Sequence, residues 1–545
     1  MTSIEKKVNY RLICILIFTA GIAYAFSNIF IQDDAFISFI YSDNLTHGNG
    51  LTWFGEKVEG YTNFFWVLLM AVGIQLKISP VFFSLIWSLI SYCLLVLLLF
   101  RSARQWVDDE KFSLFLSVLF MTNYTVSSYA TGGLETMFQT LLIFVLFYLV
   151  QKANLSNRIL GSITFLTLIS LLVRLDSAIL LAPIWIALFI RFLKEKKKTI
   201  FFFLSIAGVV LPIILWLLWK LYFYGNVLPN TFYAKDHGGT LYGIGLKYLP
   251  RFLKSYNLWI FLLITLIFIK EYLKKIRMSF LLAVALTLCW FGYLIYTGGD
   301  FMEYRLIVPI APYLFLLIAS NIWLLAHRLI KSPWFLIAPM GLFLIFSSLY
   351  HMKNFKAISP DKAIDSIPVL STCYGLYPDH HWGKIGLKIK EYLSDDNITL
   401  AMTPVGAIPY YSQIKTIDMW GLNDKYIAHH GKLMPPDYKR PGHRRRADLD
   451  YLLERKVNLV FAHPKLIRRG YLNQITKNDV ENFMYNCLGY ESPYSRNLTA
   501  TLVEIPLNSE ISIIAWYLCG NKEIDSLIEN RIWQSCEFNF VNEKG

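Results

Sequence analysis

The stretch NIFIQDDAFISFIYSDNL, residues 28–45, closes the first long apolar run of the chain with two adjacent carboxylates, Asp33 and Asp34. Carboxylates beside hydrocarbon are costly. Where they occur they face water or a partner and mark a functional path. A pair at the mouth of the first apolar run is therefore the leading functional pointer in the sequence. The structural alternative is an acidic N-cap for AFISFIYSDNL, a place that suits Asp. One Asp would cap as well as two.

Working outward from this pair, bulk properties set the class. Of 545 residues 55% are hydrophobic, and the mean hydropathy is +0.44, far above a soluble average. Apolar runs of membrane-spanning length recur through the first 350 residues. The chain reads as a polytopic α-helical membrane protein. Its net charge of +14 comes from 52 Lys+Arg against 38 Asp+Glu. Most of the cations cluster in short loops between spans, as the positive-inside rule asks. No nucleic-acid module is present.

Those loops orient the chain. Lys6, Lys7 and Arg11 precede the first span, about 12–31, which lacks a small-residue cleavage site and reads as a retained helix. Further basic clusters are Arg101/Arg104, Lys152/Arg158, Arg191 to Lys198, Lys270 to Arg277 and Arg328/Lys331. Placing these inside, with the N-terminus cytoplasmic, puts outside the segments 32–61, about 123–135, Arg174–Asp176, 222–256, 298–305 and everything after 350. Residues 62–100 hold two apolar runs, split at Lys77–Pro80, yet must cross only once. The count is then about eleven transmembrane helices.

The outward segments carry the chemistry. Asp33, Asp34, Asp43, His47, Glu56 and Glu59 lie in 32–61, and Glu135 ends NYTVSSYATGGLE. Arg174 and Asp176 interrupt LLVRLDSAILL. Asn230, Lys235 and His237 fall in 222–256, and Asp300, Glu303 and Arg305 in GGDFMEYR. Acids able to serve as a base thus converge with cations able to hold a phosphate at one membrane face. Taken singly, each has a bland reading as an ion pair, a helix cap or a snorkelling Lys.

Residues 351–545 are less hydrophobic and form a second domain. ITLAM (398–402), KTIDMWG and VNLVFAHP read as strands and RADLDYLLERK as a helix, which suggests a small α/β domain. VGAIPYYS lacks the glycines of a dinucleotide fingerprint. Lys439 to Arg446, KRPGHRRR, reads as a solvated loop or as a contact with anionic lipid headgroups. Cys14, Cys93 and Cys289 fall in apolar runs. Cys373, Cys487, Cys519 and Cys536 permit two disulfides in an oxidising compartment.

DDAFISFIYSDNLTHGNGLTWFGEKVEGYTNFFWVLL resembles the first outer loop of bacterial GT-C glycosyltransferases, most of all the mycobacterial terminal arabinofuranosyltransferase family and its Gram-negative relatives. The resemblance continues in order through GGLETMFQTLL, LLVRLDSAILL, YGNVLPNTFYAK, GGDFMEYRLIVPIAP, DHHWGKIGLKIKEYL and VGAIPYYSQIKTIDMWGLND. It implies a GT-C membrane domain over 1–350, with a catalytic first outer loop at 32–61, and a periplasmic α/β domain over 351–545. It also implies transfer of a sugar, an arabinofuranose-like pentose, from a polyprenyl-phosphate donor to a glycan, lipopolysaccharide or glycoprotein of the cell envelope. The site would lie on the outer face of the bacterial inner membrane. Asp33 or Asp34 would be the essential acid, deprotonating the acceptor hydroxyl. Arg305, Arg174 and Lys235 would hold the donor phosphate. Glu135, Asp176, Asp300, Asn230 and His381 would hold sugar or acceptor. Some members of the superfamily use a divalent cation, and paired Asp33 and Asp34 would suit Mg²⁺ or Mn²⁺. Glu303 and Tyr304, and the RLD order at 174–176, depart from the pattern of relatives. Two other readings stand beside this one. A hexose or aminosugar transferase to lipid A or protein keeps the enzyme class. A lipid-linked sugar transporter calls for two similar halves with polar residues at midplane, which the sequence does not show.

Overall fold

The computed structural model describes residues 3–152, 155–194, 199–235, 241–355, 364–373, 382–435, 438 and 440–541. Helix α1 (Ser3–Ser27) is followed closely by helix α2 (Asp33–Thr46). The N-cap of α2 is Gln32, which makes no side-chain cap bond, and Asp33 and Asp34 are the first two helical residues. Neither carboxylate therefore caps its own helix, and the capping alternative does not hold. Nor is α2 amphipathic: Asp33 and every residue from Ala35 to Ser42 are buried.

Among the described residues six helices are long and apolar enough to cross a membrane: Pro80–Trp106, Ser177–Lys194, Ile200–Tyr224, Arg277–Thr297, Arg305–Leu329 and Trp334–Asn354. Shorter apolar helices are Cys14–Ser27, Phe64–Gln75, Thr136–Val150 and Asn157–Val173. Together these make ten apolar helices among the described residues, beside the expected count of about eleven crossings. Phe64–Gln75 rises only about 18 Å, less than the ~30 Å hydrocarbon core, while its 27-residue successor is long enough. A single crossing in 62–100 has that form. Arg305–Leu329 is buried over its whole spanning window and forms the centre of the bundle, whereas Ile200–Tyr224 is only 17% buried. A helix that is apolar all round yet bare of protein is what a bilayer covers.

The C-terminal region is built on a seven-stranded mixed sheet. Its strands are β1 (Thr399–Met402), β2 (Lys415–Asp418), β3 (Leu459–Ala462), β4 (Leu466–Arg468), β5 (Leu498–Pro506), β6 (Ile511–Tyr517) and β7 (Gln534–Phe540). The order is β2-β1-β3-β6-β5-β7, with β4 pairing β6. β1 pairs β2 and β3 in parallel, and the remaining pairs are antiparallel. The strands expected at ITLAM, KTIDMWG and VNLVFAHP are present, as is a helix, Leu449–Glu454, in RADLDYLLERK. Cys487, Cys519 and Cys536 are free thiols, so the pair of disulfides that four cysteines permit is not formed. The Cys373 side chain lies outside the described residues.

One apolar core runs from α2 into this sheet. The Phe36 ring packs 5.4 Å from Tyr410 and 5.6 Å from Tyr411. The Trp53 indole donates to the Thr416 carbonyl of β2 (2.8 Å). So α2 and the loop behind it are wedged between the helical bundle and the sheet, which explains why α2 shows no polar face.

Candidate active site

Two cavities meet at the N-terminus of α2. The first, about 370 Å³, is lined by Asp34, Glu135, Arg174, Asp176, Lys235, Asp300 and Arg305 among others, so it gathers seven of the ten residues to which the resemblance gives a site role. The second, about 540 Å³, lies against the sheet region and includes Asp33, Trp420, Arg440 and Arg446. Asp34, Ile37, Lys235, Phe301, Leu422 and Gly442 line both.

The two aspartates have different tasks. Asp33 turns to the VGAIPYYS segment: its Oδ2 accepts from the Gly406 N–H (3.0 Å) and its Oδ1 from the Ala407 N–H (2.7 Å). Gly406 permits this approach, since a Cβ there would lie 2.0 Å from the Asp33 carbonyl oxygen and 2.5 Å from its Cγ. Burial pushes the Asp33 carboxyl up to about 7, against the pull of those two N–H donors. Asp34 faces both cavities. Among the described residues its carboxylate has no direct hydrogen-bond or ion-pair partner. Burial raises its pKa, and the nearby charges of Lys235 and Arg305 oppose that.

Each Asp33 oxygen accepts one backbone N–H, whereas Asp34 keeps both oxygens toward the cavities. Among the described residues no three His, Cys, Asp or Glu come together to hold a metal.

The cavity wall is a continuous hydrogen-bonded chain. Ser38 donates to Asn63 Oδ1 (3.1 Å), and Asn63 donates to Glu135 Oε2 (2.7 Å). Arg174 Nη1 donates to Glu135 Oε1 (2.8 Å), while its Nε and Nη2 fork onto Asp176 (3.0 and 2.6 Å). Tyr293 and Gln139 also donate to Asp176 (3.0 and 3.2 Å). Arg174 is thereby committed to Glu135 and Asp176. The cations left for an anion are Lys235 and Arg305. Among the described residues only Nε of Arg305 is used, donating to Asp300 Oδ2 (2.6 Å). Asp300 is delivered by the GG turn that ends helix Arg277–Thr297: Gly298 and Gly299 both have φ +79°, a conformation that favours glycine.

Other expected residues fall elsewhere. Asn230 lines neither cavity; its amide donates to the carbonyls of Gly421, Leu422 and Asp424 (2.8–3.1 Å) and ties its short helix to the loop after β2. His381 lies outside the described residues. Glu303 points away from both cavities: its Oε1 lies 2.8 Å from His351 Nε2, and its Oε2 accepts from the Ile367 N–H (2.7 Å). In KRPGHRRR the described residues 440–446 are buried or half-buried, and Arg440, Gly442, His443 and Arg446 line the second cavity. Asn63, Gln139, Tyr293 and Lys220 were not expected. Lys220 is fully buried, 2.9 Å from Glu59, and both line the first cavity. A lone Lys in LPIILWLLWKLYFYGN was a readable signal for that pair.

Residues 375–501 match a family described as a domain of unknown function, DUF8728. The terminal β-(1→2)-arabinofuranosyltransferase of Mycobacterium tuberculosis is 25% identical over 249 residues, 42% of this chain and 39% of the relative. The chain thus spans about two fifths of the length of the curated relative it matches. Two crystal structures of ArnT from Cupriavidus metallidurans are similar throughout. The apo form gives a TM-score of 0.52 at 12% identity, covering 93% of this chain and 99% of ArnT. The form bound to undecaprenyl phosphate gives 0.54 at 13%, covering 96% and 100%. At such identities the likeness shows the fold.

Proposed function

We propose that this chain, a multi-pass membrane protein with the GT-C glycosyltransferase fold of ArnT, moves a sugar from a polyprenyl-phosphate donor to a hydroxyl of a cell-envelope acceptor. The observation that carries the reading is Asp34, an uncommitted carboxylate at the junction of two cavities, beside Lys235 and Arg305. The solved ArnT with undecaprenyl phosphate supports a lipid-phosphate partner, and the mycobacterial relative supports an arabinofuranose-like pentose. Envelope glycan, lipopolysaccharide or glycoprotein is the acceptor class. The site faces the periplasmic side of the inner membrane, with 1–350 as the membrane domain and 351–545 outside.

The donor phosphate lies in the first cavity on Lys235 and the free Nη groups of Arg305, because guanidinium and ammonium donors give short, charge-assisted bonds to phosphate oxygens. Arg174 positions Glu135 and Asp176, which with Asp300 face the donor sugar. The acceptor hydroxyl reaches Asp34 from the second cavity. Asp34 takes its proton, the acceptor oxygen bonds to the anomeric carbon, and the bond from that carbon to the phosphate oxygen breaks. Polyprenyl phosphate leaves with the electron pair, its charge held by Lys235 and Arg305. Asp33 pins the N-terminus of α2 to the sheet region and so sets the position of Asp34.

The test is turnover in liposomes with a panel of polyprenyl-phosphate sugars, including the arabinofuranose form, and envelope extract as acceptor. Release of free polyprenyl phosphate is followed by mass spectrometry. Turnover of one donor supports the reading and names the sugar. A folded protein that turns over none of them sinks it.

A further inference from the structure

We infer that Glu303 is a positioning residue for Arg305: gripped by His351 and by the Ile367 N–H, it holds the turn at Tyr304 that aims the Arg305 guanidinium into the first cavity. The inference deepens the transferase reading and rests on it in taking Arg305 as a group that binds the donor phosphate. Two features of GGDFMEYR carry it.

The first is the turn itself. Tyr304 has φ +47°, left-handed backbone in a bulky residue, and it is the N-cap of the 3₁₀ turn Arg305–Ile310. Such a conformation is unfavourable for a residue with a Cβ and persists only where the surroundings hold it. Here they do. Tyr304 is buried, its hydroxyl lies 2.9 Å from Ser255 Oγ, and its ring packs 5.8 Å from Tyr248 and 5.3 Å from Phe252. Beyond the turn, the Leu306 carbonyl accepts from the Trp290 indole (2.6 Å). Arg305 itself uses only Nε, on Asp300, among the described residues. Its backbone, more than its own side-chain bonds, therefore sets where the Nη groups point.

The second is the grip on the residue before the turn. Glu303 is fully buried, lines neither cavity and has both carboxylate oxygens occupied. His351 Nε2, on helix Trp334–Asn354, lies 2.8 Å from Oε1, and the Ile367 N–H donates to Oε2 (2.7 Å). A buried ionic group adds little to stability against a well-packed apolar one, and its best-attested use is to fix one geometry. The backbone repeats the grip. The Glu303 N–H donates to the Asp365 carbonyl (3.0 Å), and the Asp365 N–H donates to the Phe301 carbonyl (2.6 Å). The Asp365 carboxylate pairs with Arg440. The segment is thus strapped to a membrane helix through His351 and to the sheet region through Asp365. Asp300 and Arg305 sit at its two ends, facing the first cavity.

The experiment uses the full-length protein in phosphatidylcholine nanodiscs, with two readouts. The first is the rate at which phenylglyoxal modifies Arg305, followed by mass spectrometry of the digested protein, and it needs no donor. Glu303→Ala should raise that rate about tenfold, as loss of a charge-assisted bond eases local opening. Arg174, which lines the same cavity from another turn, should keep its wild-type rate. The second readout is the preference for undecaprenyl phosphate over undecaprenol, measured by competition. The wild type should prefer the phosphate about a hundredfold, and Glu303→Ala should lose about tenfold of that, the worth of one charge-assisted bond. Glu303→Gln still accepts from the Ile367 N–H and should recover part of the loss. Adding Glu303→Ala to Arg305→Met should lower the preference no further, because Glu303 acts through Arg305. An unchanged Arg305 rate in Glu303→Ala overturns the inference. So do equal rises at Arg305 and Arg174, which mark general loosening, and additive losses in the double variant. If Glu303→Ala does not fold, Glu303→Asp, one methylene short of both partners, takes its place with the same outcomes. A phosphate preference kept by Arg305→Met would sink the donor-phosphate role of Arg305, while the modification rates still decide whether Glu303 positions it.

Discussion

Gly406→Ala tests whether the VGAIPYYS segment sets the position of Asp34. The added Cβ would lie 2.0 Å from the Asp33 carbonyl oxygen and 2.5 Å from its Cγ and Oδ1. All three contacts are with backbone or a pinned carboxylate, so the segment itself must retreat by more than about 1 Å in a close-packed interior. That shift takes the 2.7 and 3.0 Å bonds from Ala407 and Gly406 beyond hydrogen-bond range. Each bond to a charged carboxylate contributes about 1.5–3 kcal/mol, so the α2–sheet contact loses roughly 3–6 kcal/mol before water compensates. Asp34 is the next residue along. A misplacement of about 1 Å at a reacting group lowers turnover about 100-fold. The assay pairs polyprenyl phosphate release with hydrogen exchange at residues 405–412. Turnover should fall about 100-fold and protection in that segment should drop. Gly161→Ala is the control, because nothing lies within 4 Å of its Cβ. Wild-type turnover and protection in Gly406→Ala would refute the linkage between this loop and Asp34.

Three other outcomes follow from the same geometry. Turnover should rise with pH through an acid limb whose midpoint lies above the ordinary Asp value of 3.8, since burial raises Asp34. Lys235→Met removes the leading opposing charge and should move that midpoint higher, read from the rate against pH. Arg174→Lys keeps the charge but loses the fork that holds Glu135 and Asp176 together. Turnover should fall about 10- to 100-fold, and thermal unfolding should show a loss of about 1–3 kcal/mol. Asp33 carries a native pKa of about 7 against 3.8 when unfolded, so the native state binds the extra proton between those values. Stability should therefore fall as pH rises from about 4 to 7, and Asp33→Asn should flatten that slope in unfolding midpoints against pH.

Charge out of place in apolar sequence made the first cavity legible. Asp34, Glu135, Arg174, Asp176, Lys235, Asp300 and Arg305 sit in outward segments hundreds of residues apart, and the fold brings them to one space. Their neutral partners were not legible. Asn63, Gln139 and Tyr293 are residue types that pack as readily as they bind, and only the contacts with Glu135 and Asp176 give them a role. The division of labour between Asp33 and Asp34 depends on a contact with Gly406, 373 residues away, which no local pattern encodes. The second cavity joins α2 and Phe301 to loops of the sheet region, so KRPGHRRR read as a solvated loop or a lipid contact until Asp365, Phe301 and Glu491 were placed beside it. Asn230 misled because a polar residue in an outward loop serves equally well to tie down backbone carbonyls.

The most direct measurement compares polyprenyl phosphate release by Asp34→Asn and Asp33→Asn in donor-loaded liposomes. Asp34→Asn should lose about 10²–10⁴-fold, the worth of a positioned general base, while keeping wild-type unfolding. Asp33→Asn should retain measurable turnover and show weakened protection at Gly406 and Ala407. An active Asp34→Asn beside an inactive, fully folded Asp33→Asn would contradict the assignment of the base.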